Sequence, residues 1–283
     1  MKAKRQIDAR VSTVAAAPRA AMLIESMRDI GYSLESALAD IVDNSITAGA
    51  STVRLFAQVN ATSPRIAIVD DGQGMTRAEL LDAMRPGSRS PLETRESNDL
   101  GRFGLGLKTA SFSQCRRLTV VSRRDGTVSA ARWDLDFVAE VNDWLLEVPE
   151  EPLEIQWTDR IGPHGTLVLW EQLDRLTDSG SPEEVQRHFI RRLDEAREHL
   201  ELVFHRFLTG EKRLRKLAVA LNERPLVPFD PFHTAQSEAG PIERISQDVS
   251  GQAFTLPHHS KVPADDWEST QGRPGIPVIR AST

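Results

Sequence analysis

At 283 residues and 31.5 kDa, the chain can hold one large domain or two modest ones around a sizeable core. Its 40% hydrophobic and 27% charged residues describe an ordinary soluble globular protein, and a formal charge of -6 gives no whole-molecule attraction for nucleic acid. The single cysteine, Cys115, excludes an internal disulfide framework and a multi-cysteine metal cluster. No apolar run reaches the roughly 18 residues of a membrane-spanning helix, so a cytoplasmic location without membrane contact is the expectation.

The basic start, Met1-Lys2-Ala3-Lys4-Arg5-Gln6, and the short Val11–Ala17 segment read as part of a flexible arm over residues 1–20, not as a signal peptide. Ser33 caps an expected helix to about Thr47, with Leu34, Leu38, Ile41 and Ser45 along its inner stripe. Two runs rich in β-branched residues, Thr52–Val59 and Arg65–Val69, predict strands. The turn Asp70-Asp71-Gly72-Gln73-Gly74 follows, then a short helix over Thr76–Met84. Residues Arg85–Asn98 are polar and punctuated by Pro86, Gly87 and Pro91, which predicts a mobile functional loop. After the glycine-rich stretch Gly101–Lys108 comes a short helix to about Ser113. Further strands are expected at Leu118–Arg123, Val128–Leu135, Leu153–Trp157, Thr166–Trp170 and Leu217–Leu221. Pro182 opens a long helix to about Leu208, whose Val185, Phe189, Leu193, Ala196, Leu200, Phe204 and Phe207 are spaced to face a core. Beyond Pro225 periodicity is weak.

Three stretches carry chemistry. Asp40 and Asn44, four apart, project from one face of the first helix. They are either a solvated shoulder or a functional pair. In the second reading, Asn44 offers a neutral amide oxygen to Mg²⁺, and Asp40 orients a water as general base for attack on a γ-phosphate. The Asp70-x-Gly72-x-Gly74 pattern is either a plain turn or a base-recognition corner. There, the Asp70 carboxylate accepts from an exocyclic amine, both glycines bring backbone against the base through their tolerance of positive φ, and Met75 lies under the ring. The stretch Gly101-Arg102-Phe103-Gly104-Leu105-Gly106-Leu107-Lys108 brings backbone N–H groups to an anion at a helix start. It fails the Walker A spacing by one residue and has the reverse order of the Rossmann fingerprint.

In this order the three motifs resemble the GHKL ATPase superfamily of gyrase B subunits, heat-shock chaperones, histidine kinases and MutL-type proteins. The wording Ala37–Ser45 is most similar to bacterial MutL- and Microrchidia-like members. The resemblance implies an α+β fold. A two-layer α/β sandwich with a mixed sheet of the Bergerat type, residues 21–175, would precede a partial transducer-like domain, residues 176–283. It also implies ATP and Mg²⁺ as cofactors, with Asn44 on the metal and Asp40 catalytic. Adenine would lie against Asp70, Gly72, Gly74 and Met75, with Thr166 joining through water. Gly101, Gly104, Gly106 and Leu107 would form the phosphate wall, with Lys108 either reaching phosphate or solvated, and Arg85–Asn98 the lid. A nucleotide-dependent, clamp-like homodimer follows from the same likeness.

Two departures bear on activity. MutL-like members carry glutamate where this chain has Asp40, whose carboxylate sits over an ångström further back. A misplacement of that size can cost about a hundredfold in rate, so slow hydrolysis, or a nucleotide-gated scaffold without useful catalysis, is the expectation. Asp43, ranked second as base, stands one residue off the key face, and Glu35 is also near. For the transducer lysine, Lys212, Lys216 and Lys261 are the choices, with Lys261 favoured. Arg116-Arg117, Arg123-Arg124 and helical Arg187, Arg191, Arg192 and Arg197 leave a DNA or protein client open. No histidine precedes His164, which argues against a phospho-acceptor kinase.

Overall fold

The computed structural model describes residues 18–29, 31–59, 63–87, 106–177, 181–212 and 214–231. Helix α1 is Ala20–Arg28 and helix α2 is Leu34–Thr47. Ser33 caps α2 by accepting from the Ser36 N–H at 3.4 Å, and its buried stripe is Leu34, Ala37, Leu38, Ile41, Val42 and Ser45. Strands β1, Thr52–Gln58, and β2, Arg65–Asp70, form an antiparallel pair. Helix α3, Arg77–Met84, opens on a capping box in which Thr76 and Glu79 satisfy each other's backbone N–H groups. Helix α4 is Gly106–Phe112, followed by β3, Arg117–Arg124, and β4, Thr127–Asp134. Helix α5, Leu135–Val141, starts from an Asp134 cap, and β5 is Gly165–Glu171. After the short α6, Asp174–Thr177, come α7, Pro182–Val203, α8, His205–Thr209, and strands β6, Ala218–Leu221, and β7, Arg224–Pro225.

The strands form one mixed sheet of order β4-β3-β5-β2-β1-β6-β7, in which only β1 and β6 run parallel. Alternation along each strand sends side chains to opposite faces. Leu55, Ile66, Ile68, Val120, Val168 and Trp170 join the main core with α2, α4 and α7. Phe56, Ala67, Val69, Val121, Leu167 and Leu169 form a second cluster on the other face. Asp70 continues the Ile66–Ile68 alternation, so it belongs to the helix-side face at the end of β2. The α+β sandwich with a mixed sheet is the expected fold.

Several details differ from the sequence expectation. Leu153–Trp157 is not a strand: Pro152–Glu154 is a 3₁₀ turn, and Ile155 and Trp157 pack against the second cluster, Trp157 stacking on Phe56 at 6.2 Å. An apolar run with prolines reads as a strand, although here it serves as a lid over the sheet's back. The long helix ends at Val203, and Phe204 separates it from α8. Helices α1 and α5 were not anticipated, because their apolar stripes are short. The sheet also passes the expected boundary near residue 175. Strand β6 pairs with β1 over Thr52–Leu55, and the compact unit runs to Pro228. Buried Phe189, Leu193 and Leu200 of α7 share the main core with α2, so residues 182–225 complete the first unit instead of starting a second. Residues 1–17, 88–105 and 232–283 lie outside the described residues. The expected arm, most of the lid, Gly101, Gly104 and Lys261 fall there.

Candidate functional site

Asp70 is 8% exposed at the end of β2. Its Oδ1 accepts from the Gly72 N–H at 2.9 Å and the Thr166 N–H at 3.2 Å, and its Oδ2 accepts from Ser45 Oγ at 3.0 Å. A carboxylate has about four acceptor positions. Among the described residues, these bonds fill both positions on Oδ1 and one on Oδ2, leaving one for another N–H. Burial raises the Asp70 pKa, and the bonds from Gly72, Ser45 and Thr166 oppose that rise.

The corner around Asp70 is fixed by backbone that tolerates little change. Gly74 has φ +67°, and a Cβ there would meet the Arg123 carbonyl oxygen at 2.1 Å. Gly165 has φ +136°, and its Cβ would meet the Asp70 carbonyl oxygen at 2.1 Å. Gly72 corrects the sequence reading: its backbone is not in the left-handed region. Glycine is needed because a Cβ would sit 2.9 Å from both the Ala48 Cβ and Asp70 Oδ1. Met75 is half-buried against the main core, and its N–H donates to Ser122 Oγ at 2.8 Å. Ser122 Oγ in turn donates to the Gly165 carbonyl at 3.1 Å and lies 3.1 Å from Thr166 Oγ1. Ring nitrogen Nδ1 of His164 bonds the Gly72 carbonyl at 2.7 Å. Asp71 is structural: it accepts from the Ser51 and Thr52 N–H groups at 2.7 and 2.8 Å. Burial would raise its pKa, but the bonds from Ser51 and Thr52 outweigh burial and hold it low.

The exposed face of α2 is more open. Asn44 is exposed, and its amide makes no hydrogen bond among the described residues. Asp40 is half-buried, with Oδ2 4.0 Å from the position of a Cβ on Gly106, so it stands over the first turn of α4. Tyr32 and Asp43 are near enough for the Asp40 charge to raise the pKa of each. Burial, then the Asp40 charge, pushes the Asp43 pKa up to about 6. Glu35 is turned away and pairs with Arg192 at 3.2 Å. Thus Asp43 lies within reach of the Asp40 charge, and Glu35 is paired elsewhere.

The remaining expected residues divide. Gly106 and Leu107 begin α4, with Leu107 half-buried on the core. Lys108 is not solvated: it is 2% exposed, and its Nζ donates to the Ala83 carbonyl at 2.6 Å, at the C-terminal end of α3 where a cation is favoured. Lys212 and Lys216 are exposed. The basic pairs are committed within the chain. Arg116 pairs with Asp136 and Glu25, Arg117 with Asp134, Arg124 with Glu79, and Arg192 with Glu195. Arg123 donates to the carbonyls of Ile161 and Gly162, and Arg197 to those of Pro225, Leu221 and Arg224. The described helices include none long and apolar enough to cross a membrane.

Ser45, Ser122 and His164 belong to the site's construction but escaped the sequence reading. Ser45 gave a signal, a hydroxyl in an otherwise apolar stripe. It shares its proton between the Ile41 carbonyl, 3.2 Å away, and Asp70. Ser122 and His164 lie far from the motifs in sequence and become neighbours only through folding, Ser122 by its register opposite Thr166.

Comparison with known proteins places this geometry. Residues 32–166 match the family described as histidine kinase-, DNA gyrase B-, and HSP90-like ATPase. The chain is 35% identical over 96 residues to the ATPase morc-1 of Caenorhabditis elegans, covering 34% of this chain and 11% of that protein. It is 32% identical over 149 residues to the chaperone protein HtpG of Nitrobacter winogradskyi, covering 49% and 22%. Against the DNA mismatch repair protein MutL of Rhodopseudomonas palustris it is 34% identical over 101 residues, covering 35% and 16%. Each match therefore spans less than a quarter of the relative. The matched family segment takes in α2, the Asp70 corner, α4 and the start of β5. Residues 32–166 are thus similar to the ATP-binding domain of the GHKL ATPase superfamily, to which all three relatives belong.

Proposed function

We propose that the chain binds ATP with Mg²⁺ and hydrolyses it slowly, using closure over the nucleotide to drive clamp-like dimerisation. The observation that carries this reading is Asp70, a buried carboxylate held by three donors with one acceptor position left. An adenine amine fits that position, and Met75 offers an apolar surface beside it. Thr166 and Ser122 supply hydroxyls for a bridging water. On α2, Asn44 would hold Mg²⁺, which when bound offsets phosphate charge. Asp40 would take the proton of the attacking water as the new P–O bond forms and the bond to ADP breaks. The start of α4, Gly106 and Leu107 with the preceding Gly101 and Gly104, would supply backbone N–H groups to phosphate, and Lys108 adds positive charge behind them.

The shorter carboxylate of Asp40 supports a second reading, a nucleotide-gated binding module without useful catalysis. The two are separated by one pair of assays, Mg²⁺-dependent binding of a fluorescent ATP analogue and phosphate release. Under the first reading the wild type does both, Asn44→Ala loses binding, and Asp40→Asn binds without turnover. Nucleotide-driven dimerisation with no phosphate release over hours supports the second. No Mg²⁺-dependent binding at all overturns both. A DNA or protein client is a proposal from the arginine-rich stretches alone. The named arginines' intramolecular partners give DNA no support, and loss of retention on DNA at low salt would remove it.

A further inference from the structure

Three consecutive residues, His164, Gly165 and Thr166, close on the turn that carries Asp70. Thr166 donates its N–H to Asp70 Oδ1 at 3.2 Å. Gly165 packs so closely that a Cβ on it would meet the Asp70 carbonyl oxygen at 2.1 Å. His164 reaches further along the turn, its Nδ1 lying 2.7 Å from the Gly72 carbonyl oxygen. A carbonyl only accepts, so Nδ1 carries the proton and donates it. Among the described residues, no other donor bonds that carbonyl. The N–H of the same peptide, on Gln73, donates at 3.0 Å to the carbonyl of Ala48, the residue that caps the C-terminal end of α2. The Gly72–Gln73 peptide is therefore held on both sides, by the end of α2 and by the residues at the start of β5. The adjoining N–H, that of Gly72, is the donor 2.9 Å from Asp70 Oδ1.

We propose that His164 is a positioning residue for base recognition, acting on Asp70 through Gly72. The inference rests on the reading of Asp70 as the acceptor of an exocyclic amine. That reading needs one acceptor position on Oδ2 to stay fixed and open. The carboxylate keeps its orientation only while Oδ1 is bonded from both Gly72 and Thr166. With the His164 bond in place, the Gly72–Gln73 peptide cannot tilt without breaking a bond to the imidazole or to Ala48. Without it, water takes the carbonyl, the peptide is held from the α2 side alone, and the Gly72 N–H can turn away from Oδ1. His164 is itself exposed and lines an open cleft with Gln73, Arg124 and Arg215. Its replacement leaves no buried void, so the fold survives the test.

The first readout needs no nucleotide. In ¹⁵N NMR of the histidine side chains, the His164 signal is the one missing from His164→Asn. In its neutral form it should be the Nδ1–H tautomer, the less favoured one for free imidazole. An Nε2–H tautomer would overturn the contact. The second readout is the affinity for ATP and for inosine triphosphate, which lacks the amine. His164→Ala should bind ATP about 3- to 10-fold more weakly and inosine triphosphate within about twofold of wild type. His164→Asn, whose amide N–H stands near the place of Nδ1–H, should recover most of the preference for ATP. An equal loss for both nucleotides, an unchanged preference in His164→Ala, or no recovery in His164→Asn overturns the positioning role alone. A wild type with no preference for ATP overturns the reading of Asp70, and this proposal with it.

Discussion

Asp70 and Asp40 are aspartates at two parts of one candidate site, and their surroundings differ. Asp70 is 8% exposed, takes three hydrogen bonds from β5, α2 and its own turn, and sits among glycines that admit no side chain. Asp40 is half-buried on the open face of α2, with a like charge, Asp43, near enough to have its pKa raised by it. A carboxylate fixed and satisfied on all but one position suits recognition, because its partner is chosen before the ligand arrives. A carboxylate left open to solvent suits proton transfer, which needs access and an unspent oxygen. The Asp70 corner is held still by its bonds and glycines, whereas the α2 face is left accessible.

The largest expected effect breaks the rigid side. Gly74→Ala places a Cβ 2.1 Å from the Arg123 carbonyl at φ +67°, so a loss of about 3 kcal/mol or more in unfolding free energy is expected. Chemical denaturation measures it, and a loss within about 0.5 kcal/mol would show that the corner yields. Next is Ser45→Ala, which removes one donor to Asp70 and leaves a buried carboxylate oxygen less satisfied. It should cost about 1–3 kcal/mol of stability and weaken nucleotide binding. A variant as stable and as tight as wild type would mean that Ser45 merely fills space.

The smallest effect concerns the open side. Asp43 ionises near pH 6 in the folded chain against 3.8 ordinarily. Between those values the native state holds a proton that the unfolded chain has released, so stability falls as pH rises from about 4 to 6 and the cost is complete above 6. Asp43→Asn removes that cost. It should stabilise the protein at pH 8 by about 1 kcal/mol after solvent screening and make no difference below pH 4. Equal gains at both pH values would place the cause in packing and not in charge.

Much of this site was legible in the sequence because its motifs are local. Asp40 and Asn44 share a helix face at a spacing of four, and Asp70, Gly72 and Gly74 sit in one turn. The role of Gly74 followed from glycine's freedom at positive φ. That of Gly72 did not, since its constraint is the Cβ of Ala48, brought near only by folding. Lys108 read as a phosphate ligand because it follows a glycine loop, yet its Nζ bonds the end of α3. Ser122 and His164 become neighbours of the motifs only through folding, which no local pattern reveals. In the fold, capped helices with long stripes were readable. The 149–164 segment was not, because β-branched and aromatic residues cover a sheet as readily as they extend one. Strand β6 was seen as a strand, but its parallel place beside β1 is set by α7 packing on α2.

The central claim is that Asp70 reads the exocyclic amine of the base. The most direct test compares calorimetric titrations of ATP and inosine triphosphate, which differ by a donor amine against an acceptor oxygen, on wild type and Asp70→Asn. Wild type should prefer ATP by about 100-fold or more, since an acceptor facing a buried carboxylate is left unpaired. Asp70→Asn should bind ATP more weakly and lose most of that preference. Equal affinities for the two nucleotides in wild type, or an unchanged preference in Asp70→Asn, would contradict the account.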